Sequence, residues 1–233
     1  MLFRQFFEPQ SSTYTYLLAS AAGREALIID PVKEQVPHYL QAIDELNLRL
    51  VRAIDTHTHA DHITGLGDLR DATACITIMG AYTKAECVSQ RIGDGERLDV
   101  DGITLQALYT PGHTDESFSF VLDPAAPRVV FTGDVLLIRG TGRTDFQRGD
   151  PHRSWDSIVN RLFRLPDETL VYPAHDYKGW TVSSIGEEKR HNPRIAGRSE
   201  AEYVEIMRGL KLADPGLMDI AVPANLACGQ PKA

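Results

Sequence analysis

Thiol chemistry has little to draw on in this sequence. The three cysteines among 233 residues, Cys75, Cys87 and Cys228, are far apart and odd in number, and they form no C-x-x-C pair. No disulfide framework and no thiolate zinc site is expected from them, and a reducing compartment fits. Basic charge is also in deficit, with 24 Lys and Arg against 32 Asp and Glu for a net charge of −8. Neutralising phosphates takes a basic face, and no basic run is present, so nucleic acid is not an expected partner. No apolar run approaches the roughly 20 residues that a membrane-spanning helix needs. The first residues, "MLFRQFFEPQ", have neither an apolar signal core nor an arginine-rich, acid-poor transit pattern, which leads to the expectation of mature cytoplasmic sequence. Repeats and low-complexity linkers are missing too.

What is present reads as an ordinary globular chain, 42% hydrophobic and 24% charged, long enough for one large domain. Short β-rich runs stand at 13–19, 25–30, 49–55, 74–79, 103–110, 117–123 and 128–134. Helical patterns alternate with them. Val36, Tyr39, Leu40, Ile43 and Leu46 form one apolar stripe, and Trp155, Ile158, Val159, Leu162 and Phe163 form another. The second helix has a start signal in Asp150 as N-cap and Pro151 at its first position. A third helix is expected from Ser199, where Glu202 completes a capping box. The class is therefore α/β, in a single domain over 1–233, with 199–233 a C-terminal helix and arm packed on it.

Chemistry concentrates in "AIDTHTHADHITG". His57, His59, Asp61 and His62 spell H-x-H-x-D-H just after an apolar strand pattern, and the C-terminal ends of strands are where α/β sheets build sites. Imidazole and carboxylate suit divalent iron, zinc or manganese. A histidine-rich polar loop would account for one such residue but poorly for four in six positions. For Asp61 the plain reading is an N-cap of the following helix. Three further potential ligands also end β-runs: His113 in "LYTPGHTDES", Asp134 in "VVFTGD" and His175 in "LVYPAHDY". The remaining histidines, His38, His152 and His191, fall on helical patterns and are expected at the surface, and Cys75 is expected in the core.

This order of motifs resembles the metallo-β-lactamase superfamily, which implies an αββα sandwich with metal at one edge of its two sheets. Within it, "THTHADHITG", "TPGHT", "FTGDVLLIRGTGRTDFQ", "YPAHDYKG", "NPR" and "AVPANLACG" are similar to the glutathione persulfide dioxygenases, also called sulfur dioxygenases or ethylmalonic encephalopathy protein homologues. The resemblance implies a mononuclear non-haem Fe(II) enzyme, one Fe(2+) per chain, that oxidises glutathione persulfide with O2 and water to sulfite and glutathione. It implies His57, His113 and Asp134 as the iron ligands, a facial set that leaves positions open for substrate and dioxygen. His59, Asp61, His62 and His175 would orient those ligands and hold water. Arg143, Tyr177, Arg194 and Asn225 match the family's glutathione contacts, Lys178 more weakly, and a guanidinium can grip a carboxylate with two parallel hydrogen bonds. Read without the family, Arg143 is as readily an ion pair with Asp145.

Two departures stand out. Thr141 occupies a position where many relatives carry cysteine, and "GHTDES" replaces the family's "GHTPG" beside His113. Cys228 matches a cysteine near the family's substrate pocket, although a buried apolar thiol is the commoner fate of such a residue. The family reading is compatible with a homodimer and implies persulfide supplied by a separate upstream sulfurtransferase or sulfide-oxidising enzyme. Two other functions use the same residues: a binuclear-metal glutathione thioester hydrolase of the glyoxalase II kind, and a non-catalytic metal-binding sensor or interaction module.

Overall fold

The computed structural model describes residues 1–123, 127–213 and 217–230. In chain order the strands are β1 (Leu2–Glu8), β2 (Thr13–Ala19), β3 (Glu25–Ile29), β4 (Arg49–Ile54), β5 (Ile76–Gly80), β6 (Gln90–Ile92), β7 (Arg97–Val100), β8 (Ile103–Tyr109), β9 (Phe118–Leu122), β10 (Val129–Gly133), β11 (Leu170–Pro173) and β12 (Ser183–Ser184). The α-helices are α1 (Val36–Glu45), α2 (Leu66–Thr73), α3 (Pro151–Trp155), α4 (Ile185–His191), α5 (Glu200–Gly209) and α6 (Met218–Asn225). The chain divides into two compact units, one of Met1–Ile92, Arg97–Thr104 and the C-terminal residues after 213, the other of Gly93–Glu96 and Leu105–Ala213. The arm expected over 199–233 includes 214–216 and 231–233, which lie outside the described residues.

In the first unit the sheet runs β1-β2-β3-β4-β5-β6. β1, β2 and β3 are antiparallel neighbours, whereas β3, β4, β5 and β6 run parallel. Helices α1 and α2 cover one face: Val36, Tyr39, Ile43, Leu66 and Leu69 pack with Leu17, Ile28, Leu50, Ala53 and Met79. The alternate residues Leu18, Leu27, Ile29 and Ile54 are fully buried as well. A strand buried on both faces needs a predominantly apolar run, which the "YLLA" of β2 and the "ALII" of β3 supply. Each such aliphatic side chain contributes about 1.5–3 kcal/mol on leaving water.

Within the second unit the strands stand in the order β12-β11-β10-β9-β8. β10 pairs antiparallel with β9 and parallel with β11. Here Val121, Val130 and Val171 pack with Ile158 and Leu162 of the expected helical stripe and with Tyr203, Val204 and Met207 of α5. Asp150 caps α3 as its sequence signal foretells, its carboxylate accepting from the backbone N–H groups of His152 and Arg153 at 2.7 and 3.1 Å. The α-turns last only to Trp155, widen into a π-helical stretch over Asp156–Arg161 and close with a 3-10 turn. The capping box of Ser199 and Glu202 is present at α5.

Cysteine usage departs from expectation. Cys87 and Cys228 are joined by a disulfide, with Cα atoms 5.9 Å apart and a sequence separation of 141. A pairing that distant leaves no trace in spacing, and it removes the thiol argument for a reducing compartment. Cys75 is buried and is the free cysteine among the described residues, in the core as expected.

One turn of the second unit has a strict residue requirement. Gly112 sits at φ +143°, and a Cβ placed there would come within 2.3 Å of the Ser154 Cα. Its carbonyl accepts from Asp150 N at 2.9 Å, which ties the "TPGH" turn to the start of α3. Gly112→Ala should therefore cost at least about 2 kcal/mol in urea unfolding, because backbone rather than a side chain blocks the methyl. An unchanged midpoint would mean the turn can reopen without penalty.

Candidate metal centre

Parallel pairing sets up the first half of the site. Ile29 stands beside Ile54 in the β3–β4 register, so the residues that follow, Asp30 and Asp55, leave the sheet side by side. The loop from Asp55 to Gly65 then folds over these strand ends. His57, His59 and His62 are all buried in it, with ring centroids 4.2 Å apart for the first pair and 4.3 Å for the second. Asp30 organises the start of the loop. Its carboxylate accepts from the Thr56 N–H at 2.7 Å and from the Thr56 hydroxyl at 3.1 Å, and it meets His59 Nε2 at 3.2 Å. Burial pushes the Asp30 carboxyl up to about 6, against the lowering influence of His57 and the Thr56 hydrogen bonds.

A tautomer follows from this chain of bonds. Because the Thr56 hydroxyl donates to Asp30, it can only accept from His57 Nδ1, 2.9 Å away. The His57 proton therefore sits on Nδ1 and its Nε2 keeps the lone pair. Further along, His62 Nδ1 lies 3.1 Å from Asp61 and 3.2 Å from the Thr13 hydroxyl. Two groups in this unit bring ligand atoms within 4.8 Å of one another: His59 with Asp61 and His62, and Asp30 with Asp55 and His59. Asp61 does not cap α2, whose N-cap position is Gly65 with no side-chain bond.

The second unit repeats the same logic on other residues. His113 follows the "TPG" turn after β8, and its Nδ1 lies 2.8 Å from the Arg143 carbonyl oxygen. A carbonyl only accepts, so this ring too carries its proton on Nδ1 and presents Nε2 as a lone pair. That nitrogen faces Asp134 Oδ2 at 3.6 Å. Asp134 leaves the end of β10, and parallel pairing with β11 delivers His175 beside it, with Nδ1 at 2.7 Å from Asp134 Oδ1. A neutral imidazole lone pair opposite a carboxylate oxygen favours a cation between them, and bonds of about 2.0–2.2 Å to each are the norm for such donors. The donor set thus fits a divalent metal.

Gly142 keeps this pair in place. Its N–H donates to the Asp134 carbonyl at 2.7 Å. A Cβ there would lie 2.2 Å from that oxygen and 2.8 Å from His113 Nδ1.

The residues matched to glutathione contacts are mostly engaged. Arg143 makes two hydrogen bonds to Asp145 at 2.7 and 2.8 Å, donates to the Ala213 carbonyl at 2.7 Å and lies 4.0 Å over the Phe146 ring. Arg194 donates to the carbonyl and hydroxyl of Thr141 at 2.5 and 3.0 Å, and its burial draws its pKa below the ordinary guanidinium value. Tyr177 is 69% exposed and stacks parallel to His175 at 6.0 Å. Asn225 is buried, and its amide is given to the histidine loop: it donates to the carbonyls of His59 and His62 at 2.9 Å each and accepts from Thr64 N at 2.8 Å. Lys178, His38, His152 and His191 are exposed. Asp30 and Thr56 were not singled out by sequence reasoning. The available signal for Asp30 was the one used elsewhere, a carboxylate that ends a β-run, here "EALIID".

Comparison with known proteins agrees with these observations. Residues 9–175 match the family model described as metallo-beta-lactamase superfamily. The chain is 46% identical over 230 residues, 98% of its length and 89% of the relative's, to the human protein named persulfide dioxygenase ETHE1, mitochondrial. The crystal structure of ETHE1 from Myxococcus xanthus superposes with a TM-score of 0.95 at 53% identity, covering 99% of this chain and 100% of that one. A metallo-beta-lactamase from Staphylococcus aureus gives a TM-score of 0.88 at 26% identity, over 99% of this chain and 73% of its own.

Gly142→Ala should separate His113 from Asp134 and weaken retention of a bound divalent metal by at least about tenfold in a chelator competition, with the far-UV circular dichroism retained. Unaltered retention would show that the pair does not depend on this close approach.

Proposed function

We propose that this chain, which belongs to the metallo-β-lactamase superfamily and within it to the persulfide dioxygenases, oxidises glutathione persulfide with dioxygen and water to glutathione and sulfite. Its fold is accordingly the αββα sandwich of that superfamily. The observation that carries the reading is near full-length identity of 46% to a named persulfide dioxygenase. Neither thioester hydrolysis nor a non-catalytic sensor has a comparable observation in its favour.

In this reading His57, His113 and Asp134 would hold a single ferrous ion. Bound there, iron would supply the redox chemistry that joins a soft sulfur anion to dioxygen. The chain's own residues do the rest. The Thr56 hydroxyl and the Arg143 carbonyl fix the two histidines with Nε2 available. His175 holds the second oxygen of Asp134 by donating to it. His59, Asp61 and His62 shape the buried polar wall and retain water. An anionic persulfide tail needs cations, and Arg143 and Arg194 supply them. The Asp145 side chain paired with Arg143 is about half exposed at 51%, so its exchange for a substrate carboxylate costs little. Tyr177, stacked on His175, offers a phenolic hydroxyl to the same tail. The persulfide comes from a separate sulfur-transferring or sulfide-oxidising enzyme, and a homodimer is the proposed assembly.

Oxygen uptake matched by sulfite release on glutathione persulfide tests the reading; hydrolysis of S-lactoylglutathione without oxygen uptake would replace it. Two variants refine it. His113→Ala should lose both iron and activity. Arg143→Ala should keep iron and raise KM by about tenfold, the scale of one hydrogen-bonded charge pair. Iron loss from the arginine variant would contradict its assignment to the substrate tail.

A further inference from the structure

We propose that Asn225 is a positioning residue for the histidine loop, and that the Cys87–Cys228 disulfide is the lock that keeps it there, so that thiol reduction loosens the metal site. The inference rests on the loop's metal-binding role and not on the identity of the oxidised substrate.

Three hydrogen bonds from one buried amide bracket His59, His62 and Thr64. All three partners are backbone groups of the loop, so the Asn225 side chain sets the path of the main chain that carries His59, Asp61 and His62. The chain beyond it grips the exit of the same loop. The Cys228 carbonyl accepts from Gly67 N at 3.0 Å in the first turn of α2. Arg70, one turn further, donates to the Gln230 side chain at 3.0 Å and to the Cys87 carbonyl at 3.2 Å.

Among the described residues, α6 itself is lightly packed, and its hold on the unit comes chiefly from the residues at and just past its C-terminal end. Of its eight residues only Ala221 and Asn225 are buried, Ile220 is 60% exposed, and Pro223 interrupts its hydrogen bonding. A helix held so lightly releases its last residue readily unless that end is tethered. The disulfide is the covalent part of that tether, beside the hydrogen bonds from Gly67 and Arg70. It sits three residues past Asn225 and joins Cys228, which is buried, to Cys87, which is partly exposed in the segment between β5 and β6.

The switching step is thiol–disulfide exchange with a low-molecular-weight thiol. One thiolate attacks the accessible Cys87 sulfur, forming a mixed disulfide and expelling the Cys228 thiolate. A second thiolate attacks the sulfur of the small thiol in that adduct, releasing the oxidised small disulfide and the Cys87 thiolate. Two thiols give up two electrons, and the two protein thiolates take up the two protons. Glutathione, a product of the proposed reaction, belongs to this class of thiol.

The test uses the full chain, oxidised or reduced with dithiothreitol, together with Cys87→Ser and Asn225→Ala, and thiol titration verifies each state. Amide exchange is measured over residues 57–65 in metal-free protein, and the release of added Zn(II) to a chelator is followed separately. Reduction, Cys87→Ser and Asn225→Ala should each speed loop exchange and Zn(II) release by about tenfold. Reduction should add nothing further in Asn225→Ala, because the lock then has no amide to hold; a lock that only stabilises the fold would still act there. Equal exchange and release in oxidised and reduced wild type would overturn the proposal, even if Cys87→Ser fails to fold, and so would additive effects of reduction and Asn225→Ala. Failure of the oxidised protein to bind Zn(II) at all would instead overturn the loop's metal-binding role.

Discussion

Which nitrogen a histidine offers is settled by what holds the other one, and the candidate centre depends on that constraint. His57 and His113 lie in different units and share no neighbours in sequence, yet both have Nδ1 engaged by an oxygen left only to accept: the Thr56 hydroxyl, whose hydrogen is given to Asp30, in one case, the Arg143 carbonyl in the other. Each ring is thereby fixed in rotation and tautomer before any metal arrives. A ligand prepared in this way spares the binding step the entropy of ordering it, and it keeps the proton off the nitrogen that must coordinate.

Both devices are anchored in the sheets. Thr56 is oriented by Asp30, and Asp30 is where it is because β3 and β4 run parallel in a register that aligns their ends. Arg143 belongs to the "GTGRTDF" segment, which approaches Asp134 closely enough that only glycine fits at 142. Parallel strands end at the same level, so successive strand ends in each unit deliver successive polar residues: Asp30 and the histidine loop in one, Asp134 and His175 in the other. Burying so many polar groups is tolerable because they bond to one another.

Much of this was legible in the sequence. Apolar alternation located seven strands to within two residues at either end, because strands buried on both faces must be written in Val, Ile, Leu and aromatic residues. The H-x-H-x-D-H motif and the placement of polar residues at the ends of β-runs singled out His57, His113, Asp134 and His175 individually, and the structure places each just past a strand end. Other features were hidden for identifiable reasons. β1 escaped because "FRQFF" breaks the two-residue alternation, and the short β6, β7 and β12 carry too few apolar residues to stand out. Asn225 matched a substrate contact by resemblance, but its three bonds to the loop depend on a fold that returns the chain 161 residues after Thr64. The disulfide was invisible because two cysteines 141 residues apart have no local signature. The helix after Pro151 was foretold in position, although its π-helical turns were not, since an apolar stripe at helical spacing does not distinguish them.

Metal analysis of the protein isolated from its own cells without exposure to oxygen addresses the centre most directly. One iron per chain is the expected result, with His59, Asp61 and His62 leaving no second ion bound. Two metal ions per chain, or zinc as the resident metal, would contradict the proposal of a single ferrous ion held by two histidines and one aspartate.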